Sequence, residues 1–193
     1  MERKGLFLIL AVVLMISCSK NTESVFRITE FTIEPGGTSP PFECDVRHIV
    51  GVDTTVSPAE TTWVSYKDKA SAHLEFVVSF NDPSGVPIEG YAVHVKRYRV
   101  SFERTDGGTG VPAAHEGGLG QVIESGDAPT PVNFDLVRAD AKTSLPLNTL
   151  TLGGAIFYTK AIVEFWATEA MSGSELHATG EIQVDFADWP DEK

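Results

Sequence analysis

AIVEFWATEAMSGSELHATGEIQVDFA, residues 161–187, has the plainest pattern in the chain. Ala178, Gly180, Ile182, Val184 and Phe186 alternate with Thr179, Glu181, Gln183 and Asp185. A period of two puts the first set on one face of a strand and the second on the other. Val163, Phe165 and Ala167 share a phase in the same way, within a strand expected from Phe157 to Thr168. Between the two runs lies Met171-Ser172-Gly173-Ser174, a turn by composition. The stretch therefore reads as an antiparallel hairpin, Phe186 inward and Asp185 outward.

The same period recurs upstream. Phe26 and Ile28 alternate, then Phe31 and Ile33 resume in the opposite phase, which predicts a bulge at Thr29-Glu30 before Pro35-Gly36-Gly37. Phe42, Cys44, Val46, His48, Val50 and Val52 occupy every second position and read as one half-buried strand with Cys44 inward. A buried thiol behaves as a small hydrophobe, so Cys44 is assigned a structural role. Ala72, Leu74, Phe76, Val78 and Phe80 form another stripe, closed by Asn81-Asp82-Pro83-Ser84-Gly85. Val93 and Val95 share one phase and Tyr98, Val100 and Phe102 the other, which predicts a second bulge at Lys96-Arg97. Thr105–Gly110 reads as a loop tip, Leu119–Ile123 as a short strand, and Val132, Phe134 and Leu136 as a further stripe. Ala139–Lys142 suits one helical turn, and Pro146 stops anything longer. Leu145, Leu147, Leu150 and Leu152 are expected to cover an open side of the core.

Eight or more short strands, Gly/Pro turns and almost no helical period indicate an all-β, antiparallel, immunoglobulin-like β-sandwich. A closed β-barrel is the alternative, because period-two patterns suit both. One domain is expected over residues 25–187, with an acidic C-terminal tail at 188–193.

The first residues, MERKGLFLILAVVLMISCSK, have a different character. Arg3 and Lys4 precede twelve weakly polar to apolar residues, Gly5–Ile16. About 20 are needed to span a bilayer, whereas a run of this length suits the core of a secretion signal. Met15-Ile16-Ser17-Cys18 resembles the lipobox of bacterial lipoproteins, with Met15 where Leu is usual. The resemblance implies cleavage between Ser17 and Cys18, removal of residues 1–17, lipidation of Cys18, and a tether over 18–24. It also implies a cell-envelope location. Ser19 after the cysteine leans toward the outer membrane in a Gram-negative cell. Two or more acyl chains hold a protein stably where one holds it only marginally. The segments GYAVHVKRYRVSFERTDGG, VNFDLVRADAKTSLPL and AIVEFWATEAMSGSELHATGEIQVDFADW resemble a group of uncharacterised predicted bacterial lipoproteins. That resemblance implies the immunoglobulin-like domain and no activity.

Without residues 1–17 the chain keeps 13 of its 15 basic and 26 of its 27 acidic residues, a formal charge of about −13. Such a surface repels phosphate backbones, so nucleic acid is excluded as a partner. With Cys18 alkylated, Cys44 has no cysteine to pair with.

No constellation of catalysis or metal binding emerges. His115-Glu116 lacks the second His of HExxH, since position 119 is Leu. GGTG and GGLG fit no phosphate loop, and no GxSxG occurs. His48, His73, His94, His115 and His177 are scattered singly and read as ordinary strand and loop residues. No cofactor is expected. Asp185, Asp188, Asp191 and Glu192 read as a solvated acidic cluster rather than a calcium site. Trp63, Tyr66, Tyr158, Trp166 and Trp189 include candidates for a sugar-stacking platform. The sequence thus points to a membrane-anchored, non-enzymatic binding or structural module whose partner is an envelope protein or a glycan. The alternatives are a dedicated glycan-binding module and, less favoured, a hydrolase assembled from distant loops.

Overall fold

The computed structural model describes residues 22–33, 41–80, 90–152 and 154–189. The leader, Ser17, Cys18, the turns expected at 35–37 and 81–85, and Asp191 and Glu192 lie outside these residues. So do the side chains of Ile33, Phe80 and Leu152.

The described chain is mostly strand. Ten strands run β1 (Thr22–Ile33), β2 (Phe42–Asp45), β3 (His48–Asp53), β4 (Glu60–Val64), β5 (Asp68–Phe80), β6 (Ala92–Arg104), β7 (His115–Glu124), β8 (Thr130–Val137), β9 (Phe157–Glu169) and β10 (Glu175–Ala187). One short helix, α1 (Ala139–Lys142), and a 3-10 turn (Leu147–Leu152) interrupt them. β1-β5-β8 form a three-stranded sheet, β2-β10-β9-β6-β7 a five-stranded sheet, and β3-β4 a separate hairpin.

The two larger sheets pack on one another, and aromatic rings mark where they meet. Phe134 of β8 lies 5.5 Å from Tyr98 of β6 and 5.6 Å, edge to face, from Phe165 of β9. Such pairs add about 0.5–1.5 kcal/mol beyond their buried area. Cys44, Leu74, Phe76, Val78, Val93, Val100, Leu136, Val163, Val184 and Phe186 fill the remainder with almost no exposure. Gly180 is required at the contact of β10 with β1. A Cβ there would stand 2.6 Å from the Phe31 ring and 2.9 Å from Ile28 Cδ1.

The closing hairpin forms as its pattern predicts, Glu175 opposite Thr168 through to Phe186 opposite Phe157. Gly173 supplies the positive φ of 72° that its turn needs. Both bulges fall where the phase changes, between Ile28 and Glu30 and between Val95 and Arg97.

Several expectations need correction. β1 begins at Thr22, inside the stretch read as tether. Phe42–Val52 is two strands rather than one. β2 pairs with β10, in parallel, as far as Asp45 opposite Ala187, and Val46 N–H donates to Ala187 O. The chain turns at Asp45, whose carboxylate accepts from Arg47 N–H, and leaves as β3. Val50 and Val52, expected inward, are 49% and 53% exposed. Asp185, expected outward, is buried where β2 lies alongside β10. β7 spans His115–Glu124, longer than the strand expected at Leu119–Ile123. Leu147 and Leu150 are buried as expected, but Leu145 is 73% exposed.

Candidate binding surface

The two ends of the sheets differ in chemistry. At one end, β1 begins beside the β9–β10 turn. Ser24 Oγ donates to Glu169 Oε1 at 3.2 Å, and Ser172 Oγ donates to the other oxygen of that buried carboxylate. β9 has 13 residues, so the opposite end lies roughly 40 Å away at about 3.3 Å per residue. There β2, α1, the 3-10 turn and the start of β5 converge, and the β3-β4 hairpin projects.

The root of that hairpin is ionic and largely buried. Lys142 Nζ, on a side chain with no exposure, donates to Asp45 O (2.6 Å) and to Asp68 Oδ1 (3.0 Å), with Asp68 Oδ2 2.9 Å away in the same ion pair. Cys44 Sγ donates to Asp68 Oδ2 at 2.8 Å. Burial, and then the Asp68 charge, push the Cys44 thiol well above its ordinary pKa, so it stays protonated and unreactive.

Arg47 is the second fixing point. Its guanidinium holds the Asp188 carboxylate through Nε (3.0 and 3.1 Å) and Nη2 (2.7 Å), and donates to Thr151 O at 3.0 Å. It also lies 3.8 Å over the ring of Trp63, a cation–π contact. Asp188, read as part of a solvated tail, is instead the half-buried partner of this arginine. Asp45 holds His48 Nδ1 at 3.2 Å and accepts from Trp189 N–H.

Beyond the root the hairpin presents apolar groups to solvent. Ile49, Val50, Val52, Val56, Trp63, Val64 and Tyr66 are all large hydrophobics with substantial exposure. They fall within eighteen consecutive residues, 49–66. The five aromatics named from the sequence do not form one row. Trp63 stacks with Arg47, Tyr66 leans on His48, and Trp166 lies on the outer face of the five-stranded sheet between Arg97 and His177. Tyr158 is exposed near the start of β9.

The histidines stay apart. His115 is buried and fixed to Asp135 O at 2.9 Å. His73 lies on β5 and His94 on β6. His177 Nε2 contacts both Glu164 (3.3 Å) and Thr179 Oγ1 (3.5 Å). Carboxylate and hydroxyl meet the same ring nitrogen, so the imidazole cannot take a proton from one while the other holds its far side, as a triad requires. Among the described residues no three His, Cys, Asp or Glu side chains are placed to hold a metal ion. No described helix is long and apolar enough to cross a membrane.

The surface this geometry offers is the hairpin. No family model, curated protein or solved structure matches the chain. Its reading therefore rests on its own residues. Arg47, Asp68 and Lys142 were not singled out by sequence, because a lone Arg or Lys in a strand or turn has the same pattern whether it is solvated or buried. The one available signal was composition: residues 48–64 contain Asp53 and Glu60 and no Lys or Arg.

Proposed function

We propose that this chain is a bacterial cell-envelope lipoprotein, a non-enzymatic module with an immunoglobulin-like β-sandwich that binds or braces a partner. The observation that carries the binding role is the apolar β3-β4 hairpin, held at its root by Arg47 and Lys142. The lipobox-like Met15-Ile16-Ser17-Cys18 supports the anchor. Cys18 precedes Thr22 by four positions, a reach of at most about 14 Å. An acylated Cys18 would hold the Ser24–Glu169 end close to the membrane and keep the hairpin roughly 40 Å further out. Ser19 supports an outer-membrane address in a two-membrane cell.

Intact-mass analysis of the mature protein tests the anchor. The expected product begins at Cys18 and carries a diacylglyceryl group, and Cys18→Ala releases the protein from the membrane fraction. An unmodified product beginning elsewhere refutes the lipoprotein reading.

A further inference from the structure

At the β9–β10 turn the gap between the two larger sheets ends in a carboxylate. Thr159, Ala161, Val163, Phe165 and Ala167 are the buried phase of β9, and Glu169 is next in that phase, 7% exposed. Ser24 of β1 and Leu176 of β10 continue the inward phases of Phe26 and Ala178. Tyr91 stands two residues before Val93, in the inward phase of β6. With Met171 and Ser172 of the turn, these side chains line a cleft of about 490 Å³.

Glu169 lacks a cation. Its carboxylate accepts from Ser24 Oγ at 3.2 Å and from Ser172 Oγ, one hydroxyl on each oxygen. No Lys, Arg or His among the described residues pairs with it. Buried charges are otherwise paired or bound to metal. A carboxylate can accept about four hydrogen bonds, so its lone pairs are only partly used.

We propose that this cleft binds a small organic ammonium compound, its charged nitrogen against Glu169 and its apolar part along Tyr91, Met171 and Leu176. A buried carboxylate repels anions. A metal ion needs several such ligands, and no three His, Cys, Asp or Glu side chains gather to supply them among the described residues. A neutral polyol would match the serines and leave the charge uncompensated. The remaining wall is apolar, with Tyr91 and Leu176 half-buried and Met171 70% exposed, which suits carbon rather than a hydrated ion. The formal charge of −12 also concentrates cations around the chain. None of this depends on the anchor.

The test is an NMR titration of the full chain with hexylamine and, separately, with 1-hexanol. Glu169 N–H donates to Ser174 O at 2.9 Å, so the Glu169 and Ser174 amides report on the cleft. Hexylamine should shift them saturably, and 1-hexanol should need at least about tenfold more. Glu169→Gln keeps the shape, removes the charge and should bring hexylamine down to the 1-hexanol level. Met171→Ala alters an exposed wall and should weaken both probes by about threefold.

Equal affinity for hexylamine and 1-hexanol, unchanged hexylamine affinity in Glu169→Gln or in Met171→Ala, or shifts that never saturate and spread over the acidic surface would each overturn the proposal. If Glu169→Gln does not fold, the comparison of the two probes and Met171→Ala decide it.

Discussion

Lys142 offers the sharpest test of how the far end of the sheets is held. Its ammonium has no exposure, donates to Asp45 O and Asp68 Oδ1, and stands 2.9 Å from Asp68 Oδ2. Lys142→Met keeps most of the side-chain volume and removes the charge. Asp68 would then keep an ionised carboxylate at 18% exposure with only the weak Cys44 donor beside it, and Asp45 O would lose a hydrogen bond. Removing one member of a buried pair costs about 3–5 kcal/mol, against roughly 5–15 kcal/mol for a whole domain. Lys142→Met combined with Asp68→Leu removes both charges, and such replacements are often neutral or stabilising. The double variant should therefore be more stable than Lys142→Met alone, although it carries one more substitution. Urea unfolding of wild type, both single variants and the double variant closes the cycle. A Lys142→Met cost below about 1 kcal/mol, or simple additivity in the cycle, would show that Asp68 is hydrated and that the pair does not hold this end.

Phe186 has no exposure and meets Phe102 edge to face at 5.6 Å, so Phe186→Ala should cost about 3–5 kcal/mol. Gln183→Ala, on the exposed face, should cost less than about 0.5 kcal/mol, and equal midpoints in denaturant would refute the register of β10. Cys44 should react with thiol reagents slowly in the native protein and fast once unfolded, with Cys44→Ala costing about 1 kcal/mol; rapid native labelling would put the wrong face inward. The hydrogen bonds of Arg104 and Gly108 N–H lower the Asp106 carboxyl from 3.8 to about 2. Because the folded pKa is the lower one, its stabilisation is present above pH 3.8 and is lost as pH falls toward 2. An NMR titration of Asp106 with a midpoint near 3.8 would contradict this.

Strands with one covered face were legible in the sequence. In β10 every second residue is apolar because the other sheet lies against that side, and in β6 the phase change marks the bulge. The reading failed where alternation and burial part company. Phe42–Val52 alternates throughout, but past Val46 the chain enters the separate β3-β4 hairpin, where Val50 and Val52 are exposed. Asp185 looks solvated in a list of residues, yet it is buried, with Glu43 of β2 on one side and Tyr158 of β9 on the other. The hairpin root was invisible for a related reason. Lys142 and Asp68 are 74 positions apart and Arg47 and Asp188 are 141 apart, and nothing local announces that they meet.

The pairing of β2 with β10 also sets an order on folding. Phe42 lies opposite Val184, so a strand made early waits for one 142 residues further along. Closing so long a loop costs entropy before any contact compensates for it, and folds dominated by such distant pairings assemble over milliseconds to seconds rather than microseconds. Until β10 arrives, β2 has no partner, the Phe31 and Ile28 side chains lack the Gly180 surface they rest on, and β9 has one open edge. The nascent chain therefore leaves the edges of β2 and β9 open until β10 docks between them.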